Sequence, residues 1–167
     1  MIIQHGRRAG VAQPALKQQF VHRARLPEHS EVLWRIESGV VCSMTWTAEG
    51  ELVCLGYWGV GDVVGHPLSR VQPYELHCLT DVEISSCLRN QWSQLTDAII
   101  QNQQQTEELL SIVHINPLFQ SLWQLLVWLS QKFGREVGNG HWLDLPLTHQ
   151  QLAQTLGTNR LTVTTLL

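Results

Sequence analysis

Apolar positions change their period several times along this chain. Between residues 26 and 88 they come in short runs rich in β-branched and aromatic side chains. VVCSMTW (40–46) and ELVCLGYW (51–58) flank the turn Thr47-Ala48-Glu49-Gly50, and YELHCLT (74–80) and VEISSCL (82–88) follow. Gly39, Gly50, Gly56, Gly59, Gly61 and Gly65 punctuate the region. Short strands with frequent glycine turns predict a small antiparallel barrel or sandwich. From 91 to 114 the period lengthens. Leu95, Ile99, Asn102, Thr106, Leu109 and Val113 are spaced 4, 3, 4, 3 and 4, a heptad seam over about three heptads. Asn102 and Thr106 put polar groups in mid-seam, where Asn can fix register and dimer state. A single packed core helix has the same spacing; the polar pair favours a helix that pairs with a second copy.

Asn116-Pro117 interrupts that pattern and predicts a new helix, with Asn as N-cap and Pro at the first helical position. In LFQSLWQLLVWLSQKF, Leu118, Leu122, Leu125, Leu126 and Leu129 form a broad apolar face, and Gly134 closes the helix. Val137–Gly140 reads as a turn and HWLDL (141–145) as a short strand. The segment PLTHQQLAQTLGTNRLTVTTLL (146–167) predicts two short helices joined by a glycine. Thr148 and Gln151 make a T-x-x-Q capping box. Leu152 and Leu156 share one face, Ala153 is small where two helices cross, and Gly157 suits a left-handed cap. Thr158 or Asn159 caps the second helix, which starts at Arg160. Val163 and Leu166 then face inward, leaving Arg160, Leu161, Thr164 and Thr165 outward. A helix so arranged can enter a major groove with its N-terminal residues at the base edges.

Composition narrows this picture. A net charge of −3 over 167 residues excludes an indiscriminate polycation but admits a sequence reader with a modest basic patch. Residues 1–25 carry Arg7, Arg8, Lys17, Arg23 and Arg25 without an acid, and read as a flexible solvated tail. No run approaches a membrane span, and no apolar run follows Arg7 and Arg8 as in a secretory signal, so a cytoplasmic location is expected. Cys42, Cys54, Cys78 and Cys87 are scattered without a C-x-x-C pair, which predicts buried thiols rather than metal or cluster ligands. Trp34, Trp46, Trp58, Trp123 and Trp128 read as bulky core and interface residues.

With these residues in this order, the chain resembles the cyclic-AMP receptor protein / fumarate-nitrate regulator (Crp/Fnr) family of transcription factors, its global nitrogen regulators above all. The stretch LDLPLTHQQLAQTLGTNRLTVTTLL is similar to the family's recognition segment, and the likeness extends upstream through LLVWLSQKFG. In the barrel, WRIESGVV, the turn at Gly50 and GDVVGHPLS look like its I-x-x-G-x-V and G-D-x-x-G elements. The resemblance implies an α+β chain: a cyclic-nucleotide-binding-like β-roll (26–90) after the basic segment (1–25), a long dimerisation helix (91–114), and a winged helix-turn-helix (115–167). It implies a homodimer on a palindromic double-stranded operator, with RNA polymerase as a further partner. By position, Arg160 would read a guanine, Thr148 and Gln150 would hold phosphates, and Thr162 and Thr164 would touch backbone or bases, with Leu161 and Thr165 on the same exposed face. A guanidinium fork matches the O6 and N7 acceptors of guanine. Two departures stand out. The family usually carries Arg where this chain has Thr165, which removes one groove or phosphate charge and should flatten the salt dependence of binding. The chain also stops at Leu167 inside the second helix, so the wing is expected beyond it.

The barrel's effector is not legible. Cyclic-nucleotide binders of the family carry a G-E-[small] turn followed by Arg-Ser or Arg-Thr. Here His66 follows Gly65, QPYELHCL lacks that pair, and Arg70 comes too early. A buried cyclic phosphate needs a fixed cation, so a cyclic nucleotide is not expected and no cofactor is implied; another small ligand is compatible. Glu75 and His77, two apart on one strand face, and His66 raise a metal-dependent barrel enzyme, the weakest alternative because no H-x-H occurs; Glu75 and His77 read as a surface strand pair. No nucleophile–base constellation marks an enzyme. The other alternative is a sensor or dimerisation protein whose helix pair does not read DNA.

Overall fold

The computed structural model describes residues 16–167. Its first part is built from β1 (Lys17–Phe20), β2 (Val32–Ser38), β3 (Val41–Trp46), β4 (Leu52–Trp58), β5 (Val63–Val64), β6 (Glu75–Cys78) and β7 (Val82–Leu88). These form two antiparallel sheets, ordered β1-β7-β2-β5 and β4-β3-β6. Alternation of side chains makes each sheet two-faced. Val32, Trp34 and Ile36 of β2 meet Val41, Trp58, Leu76 and Cys78 of the second sheet, and this cluster is the interior of the roll. Leu33 points the other way, onto Val63, Cys87 and Leu95. The outer face of the second sheet carries Cys42, Met44, Cys54 and Tyr57, which pack against the C-terminal helices. The β3–β4 register shifts between Ser43 and Met44 and leaves Leu55 without a partner across the ladder. That extra residue lets Cys54 and Tyr57, three apart, face the same side.

A 3-10 segment, Arg89–Leu95, leads into α1 (Thr96–Val113), then α2 (Leu118–Phe133), the hairpin β8 (Arg135–Val137) and β9 (Gly140–Trp142), α3 (His149–Leu156) and α4 (Arg160–Leu166). The fold is the expected α+β arrangement of roll, long helix and helix-turn-helix.

Several local expectations are corrected. The basic segment is not wholly a solvated tail: β1 pairs with β7, Arg25 bridges to His77, and Lys17 and Arg25 lie 2.8 and 2.7 Å from Glu83 and Glu75. KQQF has almost no apolar signal of its own and takes its conformation from the open edge of β7. Arg7 and Arg8 lie outside the described residues. The long helix is α-helical only from Thr96. In the next helix Pro117 occupies the cap position rather than the first turn, no side chain caps it, and Leu118 is the first helical residue. The strand expected at 141–145 is Gly140–Trp142, paired with a second strand at Arg135–Val137; Leu143, Leu145 and Leu147 lie outside it and pack against the core. Trp123 is exposed rather than packed, while Trp34 and Trp58 are buried.

The heptad seam is also divided. Leu95, Asn102 and Leu109, each one heptad apart, are buried against the chain's own roll and helices. Asn102 Nδ2 donates to the Val63 carbonyl, so its amide ties α1 to β5. These three side chains are not available to a second copy. Ile99 and Val113 are half-buried on the same clusters, and Thr106 is exposed with its hydroxyl donating to Asn102 O at 2.8 Å. A separate stripe, Ile100, Gln103, Glu107 and Leu110, faces outward, with Ile100 and Leu110 about half exposed.

Candidate nucleic-acid interface

The helix pair is held by the local chemistry its sequence carries. Thr148 Oγ1 accepts from Gln151 N–H at 3.2 Å, and Gln151 Oε1 accepts from Thr148 N–H at 2.8 Å, a reciprocal capping box. Gly157 ends α3 at φ 63°, where an L side chain would be strained, and its N–H returns to Ala153 O. Of the two candidate caps for α4, Asn159 serves: its side chain accepts from Thr162 N–H at 2.9 Å. Ala153 and Val163 are fully buried, which lets α3 and α4 cross closely; Leu152 and Leu156 complete the inner face and Leu166 is half-buried on it.

The outer face of α4 is what remains. Arg160, Leu161, Thr164 and Thr165 are exposed, Leu161 by 79%, and Thr162 is half-buried. Thr164 and Thr165 donate to the carbonyls of Arg160 and Leu161, each at 2.9 Å. Their hydroxyl protons are engaged in these bonds. Arg160 has no ion-pair partner among the described residues, so its guanidinium is free at the start of α4. Thr148 and Gln150 are exposed at the start of α3, beside the roll. His149 Nδ1 lies 2.9 Å from Thr164 Oγ1 and links the two helices.

Two anchors of this head gave no signal in the sequence. Tyr57 OH and Thr155 Oγ1 are 2.6 Å apart and buried, joining β4 to α3. Lys132 of α2 lies 3.2 Å from Asp62 Oδ2, donates to Tyr57 O at 2.6 Å, and also bonds Gln105 of α1. Burial pushes the Lys132 ammonium below its ordinary value, and Asp62 opposes that shift. Each partner lies 27 or more residues from the other along the chain, so no local pattern announces the contact.

Between the roll and α1 is a cavity of about 320 Å³, lined by Ser43, Trp58, Val64, Tyr74, Asn102 and Thr106 among others, with no charged side chain in its wall. Asn102 Oδ1 is buried without a hydrogen-bond partner. Arg70 does not line this cavity, and His66 bonds the Tyr74 carbonyl at 3.0 Å. Glu75 Oε2 lies 2.6 Å from His77 Nε2 while its other oxygen accepts from Arg25. Among the described residues no group of three or more His, Cys, Asp or Glu side chains comes together as a metal site.

A capped, buried-face helix pair, presenting an unpaired arginine on its outer helix and mounted on a β-roll by a long helix, defines a DNA-binding regulator of the helix-turn-helix class. Residues 120–167 match the Crp-like helix-turn-helix domain. The regulatory protein CysR of Synechococcus elongatus is 40% identical over 148 residues, covering 87% of this chain and 71% of that protein. This chain belongs to the Crp/Fnr family of transcriptional regulators, a family of DNA-binding proteins rather than enzymes. The relative that carries this assignment is named as a CysR protein, not as a nitrogen regulator, so the family rather than that narrower likeness is what holds. Among solved structures, a Crp-family regulator from Thermus thermophilus superimposes with a TM-score of 0.76 at 15% identity, covering 89% of this chain and 81% of that one. FixK2 from Bradyrhizobium japonicum gives 0.74 at 13% identity, covering 92% and 83%. At such identities the superpositions speak for the fold alone. No helix among the described residues is long and apolar enough to cross a membrane.

Proposed function

We propose that this regulator binds a palindromic operator as a homodimer, with α4 in the major groove and Arg160 as the principal base reader. The observation that carries this reading is the outer face of α4: a free guanidinium on the first turn, followed by Leu161, Thr164 and Thr165, on a helix whose other face packs on the core through buried Val163 and half-buried Leu166. Arg160 would pair with guanine O6 and N7, and Leu161 would meet a thymine methyl. Thr162, Thr164 and Thr165 supply acceptors and methyl groups along the groove wall, and Thr148 and Gln150 hold phosphates at the start of α3. Ile100, Gln103, Glu107 and Leu110 of α1, joined by Thr106, offer the outward stripe along which two copies pair, while Asn102 stays with its own roll. Two half-sites then lie roughly 34 Å apart. A small effector in the roll cavity would be uncharged and would bring a donor for Asn102 Oδ1.

Selection from random duplexes followed by titration of the winning site tests the reading. A two-fold symmetric site is expected, with Arg160→Ala relaxing one base position per half-site by about 1–3 kcal/mol. No sequence preference in the selection would overturn it. Sedimentation equilibrium checks the dimer: Leu110→Asp should convert it to monomer, and an unchanged mass would remove the stripe from the proposal.

A further inference from the structure

The face of the second sheet that seats α3 carries three sulfur atoms. Cys42 and Cys54, on neighbouring strands, have their Sγ atoms 2.8 Å apart, and Met44 Sδ is 3.2 Å from Cys42 Sγ. The register shift at Leu55 brings both thiols to this face. Leu152 and Leu156 of α3 belong to the same cluster, and the Tyr57–Thr155 hydrogen bond stands beside it. Both thiols are buried but not sealed in. They line a cleft of about 250 Å³ between roll and α3, shared with His77, Leu79 and Gln151. Cys78 and Cys87 are also buried and do not line it. A buried cysteine is ordinarily a small inert hydrophobe; DNA reading needs an apolar seat for α3 here, and nothing in it needs two facing thiols beside an opening.

We propose that Cys42 and Cys54 are a peroxide-responsive dithiol, oxidised to an intrachain disulfide beneath the reading helices. A covalent S–S bond measures roughly 2.0 Å, so a few tenths of an ångström at each sulfur closes the pair. The sulfur of Cys54 attacks one oxygen of hydrogen peroxide; the O–O bond breaks, and the departing hydroxide takes the thiol proton and leaves as water. Cys54 is then a sulfenic acid. The Cys42 sulfur attacks it, the S–S bond forms, the S–O bond breaks, and the hydroxyl leaves as a second water with the Cys42 proton. The two sulfurs together lose two electrons, which reduce the peroxide. Their environments suit these unequal parts. Burial pushes both thiols up, but hydrogen bonds from Cys42, Thr155 and Tyr57 hold Cys54 below the ordinary thiol value, while Cys42 is held well above it. The thiolate is the nucleophile, and Cys54 is the sulfur more readily placed in that form. Bond closure withdraws Cys54 from the Tyr57–Thr155 contact that joins roll to α3, which couples the redox state to the reading head. That coupling rests on the proposed DNA reading; the thiol chemistry does not.

The test treats the full chain with hydrogen peroxide, alkylates it after unfolding, and maps peptides. Glu49 and Glu51 lie between the two cysteines, with no Lys or Arg there, so a glutamate-specific protease separates them and a link becomes visible. The expected map shows Cys42 joined to Cys54 while Cys78 and Cys87 stay alkylatable, with Cys54 consumed at least about tenfold faster than either. Operator affinity should differ by about fivefold or more between the oxidised and reduced chains, reverse with dithiothreitol, and not change on peroxide treatment of Cys42→Ala. Unreacted Cys42 and Cys54, a link through Cys78 or Cys87, or Cys54 running to sulfinic acid without a link would each overturn the dithiol. A disulfide that leaves the affinity of a DNA-binding chain unchanged would overturn the coupling. If neither state binds any duplex, it is the DNA-reading proposal that fails, and the peptide map alone decides the dithiol.

Discussion

Replacing Lys132 by Met tests how the roll, α1 and α2 are locked together. The ammonium has Asp62 Oδ2 at 3.2 Å, the Tyr57 carbonyl at 2.6 Å, and the rings of Trp58, Trp128 and Phe133 at 5.3, 5.3 and 5.1 Å. Met keeps the length and apolar bulk of the stem but removes the charge. Asp62 is then a buried carboxylate without a cation, although it still accepts from Gly59 N–H at 2.8 Å and Gln105 Nε2 at 3.0 Å. Removing one partner of a buried ion pair costs about 3–5 kcal/mol. The two surviving hydrogen bonds put this site at the lower end, and the lost ring contacts oppose that relief, so the expected loss is about 3 kcal/mol. In urea unfolding at one fixed protein concentration, the midpoint should fall with an unchanged slope. In thermal unfolding the same loss is a drop of roughly 6–12 °C for a chain of this size. The double variant Asp62→Asn/Lys132→Met removes the stranded charge and should recover at least half of the loss. A Lys132→Met loss below about 1 kcal/mol, or a double variant no more stable than the single one, would refute the argument.

Further outcomes follow from other sites. Thr148→Ala removes the acceptor of the capping box and should lower stability by about 1 kcal/mol, read as a urea midpoint shift, with Thr148→Ser restoring most of it. Arg160→Ala should leave the unfolding midpoint unchanged, because the side chain is exposed, while operator affinity falls and tolerance rises at one base position rather than uniformly across sequences. Tyr57→Phe breaks the bond to Thr155, and about 1 kcal/mol should be lost in denaturant unfolding. Stability should also fall in alkali. Burial raises Cys78 from 9.0 to about 11, with the charge of Asp81 adding to it, and burial raises Tyr74 from 10.0 to about 12. Groups raised in the folded state give stability that is complete below the unfolded value and lost through the folded one. Each therefore withdraws about 2–3 kcal/mol, Cys78 between pH 9 and 11 and Tyr74 between pH 10 and 12. Cys78→Ala should abolish the earlier of these two losses in urea titrations taken at each pH.

Short-range chemistry made the reading head legible. The capping box of Thr148 and Gln151, the left-handed Gly157, the small Ala153 and the outward placement of Arg160, Leu161, Thr164 and Thr165 depend on residues a few positions apart, and all were readable from the sequence. Four strands of the roll, β3, β4, β6 and β7, were readable for the same reason, since alternation and turn glycines are local; the run at Val32–Ser38 that forms β2 was not. Only the tertiary structure decided which way each surface faces and what it meets. A 3.5-residue period says that α1 has an apolar seam, but Leu95, Asn102 and Leu109 turn that seam inward to the chain's own roll. β1 has no pattern of its own and exists because the edge of β7 is open. Tyr57 meets Thr155, Lys132 meets Asp62, and Cys42 meets Cys54 because the chain returns on itself or bulges at Leu55. The sequence by itself determined the class of the protein through its local helix chemistry; the anchoring of the head, the outward stripe of α1 and the facing thiols were decided by contacts that no local periodicity encodes.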